Sequence, residues 1–286
     1  MTRSTRAPAI DLRPLMRWYR TYGRHELPWR LTRDPYAVLV SEFMLQQTQV
    51  ERVVPYYLAW MERWRSFPQL SDAATADVIA AWGGLGYNRR AVNLQRTARI
   101  VTEERGGRLP RTETGLRALP GVGTYTAAAV RSFAFGEPTS VVDTNVGRVL
   151  ARAVEGVASM HGAGAAAVAA SARELLPGRG VRDHNLAFMD LGAVVCRASK
   201  PACDTCPLIA SCRWREIGSP PEQARATRPV RFEDTARFAR GRIVAALRSG
   251  APMTTDELSG ALTPAHRART ASYLAALEHD GLVEQT

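Results

Sequence analysis

The chain predicts an all-α fold, on three observations. Apolar residues recur at helical spacing in one segment after another. Glycine and proline punctuate the gaps between those segments, where they end one helix and admit the next. Runs that alternate apolar and polar residues, the mark of a half-buried strand, are almost absent.

The elements follow in order. Residues 9–24 place apolar side chains at helical spacing and stop at Gly23. A stretch opening after Asp34 and Pro35 reads as one or two helices as far as residue 66. Residues 71–82 start at a serine cap, and residues 90–104 make an amphipathic helix closed by Gly106 and Gly107. Segments 112–118, 124–134, 143–155, 163–176 and 184–196 are helical between Gly/Pro turns. Residues 216–230 are polar and proline-rich, a linker by composition. Three more helical patterns fill residues 233–281, and a short β-prone tail, Leu282 to Thr286, follows. That outline is a small winged-helix-like domain with a reduced wing. No internal repeat implies a solenoid.

A chain of 286 residues, 45% of them hydrophobic, buries a sizeable core. No apolar run reaches membrane-spanning length, and the start MTRSTRAPAI lacks the apolar centre of a signal peptide. Free thiols without an export signal imply a reducing cytoplasm. The formal net charge of +11 favours a polyanionic partner, nucleic acid first and an anionic membrane surface second. Lys200 is the single lysine among 38 basic residues. Arginine stays protonated, so a Schiff-base mechanism would have Lys200 alone as its amine.

All four cysteines fall in one stretch, Cys196, Cys203, Cys206 and Cys212, with spacing C-x6-C-x2-C-x5-C. Nothing elsewhere remains for them to staple, so they read as metal ligands. Thiolates alone suit zinc or an iron–sulfur cluster. Only Cys203 and Cys206 form the short pair usual for zinc, and the longer flanking gaps favour a [4Fe–4S] cluster.

Three further motifs carry chemistry. Leu119-Pro120-Gly121-Val122-Gly123 lies between two helices, and its glycines let bare backbone N–H groups approach a phosphate at the next helix start. Asp143, in Val142-Asp143-Thr144-Asn145, stands where a helix begins and a carboxylate is favoured. Glu42 lies among apolar neighbours from Ala37 to Leu45, where desolvation favours the protonated acid. A proton-bearing carboxyl and an ionised one meeting over a glycosidic bond are an acid and a cation stabiliser. On a basic scaffold that grips phosphate, that bond would be the N-glycosidic bond of a flipped DNA base.

These residues resemble the helix-hairpin-helix DNA glycosylase superfamily, and within it the adenine DNA glycosylase (MutY) family. The resemblance runs from about Trp18 to Cys212. It is carried by Leu27-Pro28-Trp29-Arg30, the run from Ser41 to Val50 (SEFMLQQTQV), Trp82-Gly83-Gly84-Leu85-Gly86-Tyr87, LPGVG, Val142 to Asn145, Met189 to Ala193 and the cysteine array. It implies two helical subdomains with an iron–sulfur loop, and removal of adenine opposite 8-oxoguanine or guanine. Glu42 would protonate the adenine, Asp143 stabilise the sugar cation, Asn145 orient the pair and Tyr125 line the base pocket. Gln47, Thr48, Leu85 and Tyr87 would meet the duplex, Gly121 and Gly123 its phosphate, and Arg197 and Lys200 further phosphates.

Bifunctional members of the superfamily carry a lysine where this chain has Tyr125, so the resemblance implies a monofunctional enzyme that leaves an abasic site. The five histidines fit no catalytic pattern. The implied division is an N-terminal helix (1–32), a helix-hairpin-helix subdomain (33–137), a cluster subdomain (138–215), a linker (216–230) and the winged-helix-like domain (231–286). Many relatives carry a Nudix-like domain at their C-terminus, and residues 225–286 are too few for one. The expected molecule is a monomer on mismatched double-stranded DNA. Two rivals remain: a thymine or uracil mismatch glycosylase on the same scaffold, and a non-catalytic iron–sulfur DNA-binding regulator.

Overall fold

The computed structural model describes residues 10–221 and 230–285. The first nine residues and residues 222–229 of the expected linker lie outside that range. The helices are α1 (Arg13–Tyr22), α2 (Pro35–Leu45), α3 (Val50–Arg63), α4 (Phe67–Ser71), α5 (Thr75–Ala81), α6 (Arg89–Arg105), α7 (Glu113–Arg117), α8 (Thr124–Phe133) and α9 (Thr144–Leu150). They continue as α10 (Met160–Ala163), α11 (Ala165–Glu174), α12 (Val181–Asp190), α13 (Arg213–Glu216), α14 (Ala236–Ala246), α15 (Thr255–Gly260), α16 (Pro264–Arg267) and α17 (Thr270–His279). No strand occurs among the described residues, and none of their helices is long and apolar enough to cross a membrane.

Several boundaries differ from the sequence expectation for local reasons. Residues 35–66 break at Gln46–Gln49, because Gln47 takes a left-handed backbone that no helix continues. Ser71 ends a short helix that Pro68 opens, rather than capping the next one. Both α9 and α12 run on into π turns, at Ala151–Glu155 and Leu191–Val195. Leu282 and Val283 do not form a wing; they fold back onto the apolar core of the tail.

The contacts group the chain into two units. One contains residues 1–33, 111–113 and 123–225. Its centre is built from Leu15, Val130, Val141, Leu150, Leu191 and Leu208, all nearly inaccessible. Asp190 on α12 is fully buried and receives Arg24 and Arg30, at 2.7 Å each. Burial alone would disfavour its charge, but the two guanidinium groups hold its carboxyl below the usual range. Asn185, earlier on the same helix, accepts from Val141 N–H and donates to Ser132 and the Thr139 carbonyl. That amide fixes the extended segment leading into Asp143.

His184, also on α12, is 5% exposed, and its ring lies 5.1 Å from Phe188. Burial pushes its pKa down to about 4. The unfolded chain takes up this proton near the usual 6.5, and the folded chain resists it until about 4. Stability is therefore full above pH 6.5 and is lost as pH falls toward 4. About 2 kcal/mol should go between pH 7 and pH 5. Urea unfolding at the two pH values should show this loss, and His184→Phe should remove most of it.

The other unit contains residues 34–110, 114–122 and 226–286. Its core stacks Trp60 edge-on against Trp64 and Trp82, with centroids 4.7 and 5.5 Å apart. Tyr36 donates its hydroxyl to the Trp64 carbonyl and accepts from Trp60 Nε1. Residues of α14, α15 and α17, chiefly Ile243, Leu258, Tyr273 and Leu277, make a second apolar cluster that Ile79 of α5 joins. The C-terminal helices thus pack onto α5, which leads into the segment from Trp82 to Tyr87. A reciprocal capping box between Thr254 and Glu257 starts α15.

Candidate active site and cysteine loop

Glu42 sits on α2. Asp34 caps this helix by accepting from the N–H groups of Tyr36 and Ala37, and Pro35 fits its first turn. Every residue from Tyr36 to Met44 is buried, and Glu42 itself is only 5% exposed. Its carboxyl is therefore largely withdrawn from solvent, as its apolar neighbours imply.

Just beyond α2 the backbone is unusual. Gln47 has φ 55° and Tyr87 φ 47°, and Lys200 of the cysteine loop has φ 50°. Each costs roughly 1 kcal/mol or more for a residue with a Cβ. Four non-glycine residues among those described adopt positive φ, and three of them are positions expected to meet DNA.

Arg90 holds this region together, although the sequence reading passed over it. Its Nη1 donates to the carbonyls of Phe43, Met44 and Gln46, at 2.6 to 3.0 Å. Its Nη2 donates to Thr48 Oγ1 and to the carbonyls of Leu85 and Gly86. The guanidinium also lies over the rings of Trp82 and Tyr87. One buried cation thus ties the end of the Glu42 helix to the QQT turn and the GLGY loop. Desolvation lowers its pKa to about 10, so it remains charged at neutral pH. In Arg90→Met these acceptors lose their donor, and stability should fall by about 3 kcal/mol. Thermal unfolding of purified protein measures the loss.

Leu85 lies in the same loop. It is 5% exposed, with its side chain in the core and its carbonyl accepting from Arg90. Tyr87 is 37% exposed. Gly121 has φ 78°, and a Cβ there would lie 2.8 Å from the Phe43 ring, so only glycine fits.

In the first unit, Gly123 precedes α8 in an extended conformation and is exposed. No atom lies within 4 Å of where its Cβ would be, and Thr124, which opens α8, is exposed as well. Tyr125, in the first turn, is half-buried. Asp143 caps α9: Oδ1 accepts from Val146 N–H at 2.7 Å, and Oδ2 accepts from Asn145 Nδ2 at 3.1 Å. Both oxygens are therefore held, and the carboxylate faces the positive end of a helix.

The hydrogen bonds continue from there. Asn145 Oδ1 accepts from Arg148 Nη2 at 2.8 Å, and Arg148 donates again to the carbonyls of Gly192 and Cys196, at 2.7 Å each. A Cβ on Gly192 would meet Asn145 at 2.7 Å, so glycine permits this approach. Asp143 is thus joined to the first cysteine through two side chains.

The four cysteines line one cavity with Arg152, Ile209 and Trp214. Arg152, one helical turn after Arg148, is 5% exposed and lies over the Trp214 ring at 4.6 Å. It donates to Cys196 Sγ at 3.5 Å and to the carbonyls of Arg197 and Ala198. Burial pushes the Cys206 thiol up to about 11 and raises Cys212 as well, while backbone N–H groups of Leu208, Trp214 and Arg215 donate to these two sulfurs. Among the described residues, no three His, Cys, Asp or Glu side chains converge as a single-ion site. Arg197 and Lys200 are exposed on the same loop.

Glu42, Gln47, Thr48, Leu85, Tyr87 and Gly121 belong to one unit, and Gly123, Tyr125, Asp143, Asn145 and the cysteine loop to the other. Arg90, Arg148 and Arg152 escaped the sequence reading because a guanidinium in an arginine-rich chain reads as solvated charge. The available signal was the i, i+4 spacing of Arg148 and Arg152 on the helix that Asp143 caps.

Residues 40–160 match the family described as HhH-GPD superfamily base excision DNA repair protein. An adenine DNA glycosylase of Mycolicibacterium smegmatis is 43% identical over 276 residues, covering 95% of this chain and 92% of the relative. This chain belongs to the adenine DNA glycosylase family. The human adenine DNA glycosylase is 45% identical over 217 residues, covering 71% of this chain and 39% of that protein. The solved structure of a thermostable thymine-DNA glycosylase superposes with a TM-score of 0.64 at 33% identity, covering 71% of this chain and 94% of that one. Membership of the adenine DNA glycosylase family thus accompanies an all-helical scaffold shared with glycosylases of other base preference. The mycobacterial match extends over so much of the chain that it reaches into the C-terminal helices.

Proposed function

We propose that this protein is a monofunctional DNA glycosylase that hydrolyses the N-glycosidic bond of adenine mispaired with 8-oxoguanine or guanine in double-stranded DNA. The observation that carries the reading is Asp143, a helix-capping carboxylate with each oxygen held by one N–H, in the motif shared with the family. A fixed anion of this kind stabilises positive charge as it develops on the sugar, without having to reorganise. Asn145 holds its orientation. Glu42, withdrawn from water, is suited to deliver a proton to the departing adenine. Tyr125 lines the base pocket. Tyr125 stands where bifunctional members of the superfamily carry a lysine, so water rather than an amine at that position completes the hydrolysis.

Gln47, Thr48 and Tyr87 engage the mispaired duplex. The glycines at 121 and 123 admit a phosphate to the start of α8, while Arg197 and Lys200 approach others. Cys196, Cys203, Cys206 and Cys212 hold a [4Fe–4S] cluster. Four thiols lining one cavity support a thiolate-held centre, and the long gaps on either side of the Cys203–Cys206 pair favour a cluster over zinc. Half-buried sulfurs receiving N–H groups suit thiolates that share their charge with metal. The cluster supplies structural cross-linking of the loop.

The test presents purified protein with four duplexes that place adenine or thymine opposite guanine or 8-oxoguanine. Release of adenine, fastest opposite 8-oxoguanine, is expected, with no covalent adduct trapped by borohydride. Release of thymine instead would assign the mismatch-thymine reading. Tight binding with no base released would make the protein a DNA-binding regulator.

A further inference from the structure

The C-terminal helices reach the loop that carries Tyr87. The Arg237 guanidinium of α14 lies over the Tyr87 ring, 4.7 Å from its centroid, and over the Phe232 ring at 4.8 Å. Its Nη1 donates to the Tyr87 hydroxyl. Around this contact the tail is fastened to the same segment. Asp280 pairs with Arg89 at 3.3 Å, and the Arg248 guanidinium packs against Gly83. Ile79 enters the apolar cluster of the tail.

We infer that Arg237 is a positioning residue for Tyr87, through which the C-terminal helices set how this protein reads the base opposite the excised one. The inference rests on the proposed DNA contact of Tyr87. Three observations carry it. Tyr87 has φ 47° and is more than one-third exposed, a conformation that local structure alone does not favour and that a neighbour must hold. Arg90 lies over the same ring at 5.5 Å, and Arg237 adds a second hold by stacking over both the Tyr87 and Phe232 rings, which suits the planar guanidinium and not an ammonium. An N–H donated to the phenolic oxygen also occupies one of its lone pairs, leaving the phenolic proton to be donated outward. A base carrying an additional carbonyl oxygen, as 8-oxoguanine does at C8, is an acceptor for such a donor.

The test measures fluorescence anisotropy with duplexes that place a tetrahydrofuran abasic analogue opposite 8-oxoguanine or opposite guanine. Full-length wild type, Arg237→Met, Arg237→Lys, Tyr87→Phe, Tyr87→Ala and the Arg237→Met/Tyr87→Ala double variant are compared. Arg237→Met should weaken binding to the 8-oxoguanine duplex roughly five- to tenfold, with a smaller change on the guanine duplex. Arg237→Lys should restore only part of the loss, and Tyr87→Phe should lower the 8-oxoguanine preference. In the Tyr87→Ala background, Arg237→Met should add nothing, because a positioning residue has no effect without its target. Equal losses in both backgrounds, or unchanged discrimination in a folded Arg237→Met protein, would overturn the inference. Adenine release by the wild type is assayed in parallel: its absence strikes the proposed function, whereas its presence beside unchanged discrimination strikes this inference alone.

Discussion

Asp143→Asn should slow adenine release by about a thousandfold or more while duplex binding persists. Asparagine caps helices as well as aspartate does, so α9 should still form and the fold should survive. What disappears is the negative charge beside the developing sugar cation. The carboxylate accepts from Val146 N–H and Asn145 Nδ2, and the variant amide can keep one of these bonds through its carbonyl oxygen. Single-turnover base release and anisotropy on one duplex separate the two effects. A modest rate loss would mean that Asp143 only caps its helix.

The second large effect is expected from Cys206→Ser. Metal bound by thiolates contributes folding free energy directly, on the order of 10 kcal/mol in small structural sites. Losing one ligand should abolish the broad absorbance near ~400 nm and lower the thermal midpoint by tens of degrees. The harm should reach the active site, because the carbonyl of Cys196 anchors Arg148, which in turn holds Asn145 and Asp143. Base release should therefore fall even in the fraction that remains soluble. The pH sign follows from the thiols. Burial pushes Cys206 up to about 11, so without metal it carries its proton at neutral pH. Metal binding must displace that proton, and falling pH should favour release of the cluster. Retention of absorbance and activity by Cys206→Ser would remove this cysteine from the ligand set.

Much of this was legible in the sequence, for identifiable reasons. Helical periodicity and Gly/Pro punctuation are local, so the all-α architecture follows from them. Asp143 could be placed at a helix start because a capping residue and the helix it begins are adjacent in the chain. The cysteines declared themselves by proximity. The arginine contacts were not legible, since Arg90 gathers acceptors from two loops more than 30 residues apart in sequence and nothing in its neighbours signals burial. The left-handed backbones of Gln47 and Tyr87 were hidden for a related reason: neither residue type advertises positive φ as glycine does. The packing of the last residues was not legible either. Leu282 and Val283 favour strands intrinsically, but an apolar groove within reach wins over a strand with no partner.

The most direct measurement is the single-turnover release of free base from a duplex with adenine opposite 8-oxoguanine, with wild type beside Glu42→Gln. Free adenine should leave the wild-type reaction, and glutamine, which carries no acidic proton, should slow its release by about a hundredfold or more. Glu42→Gln releasing adenine at the wild-type rate would contradict the assignment of this buried carboxyl as the acid.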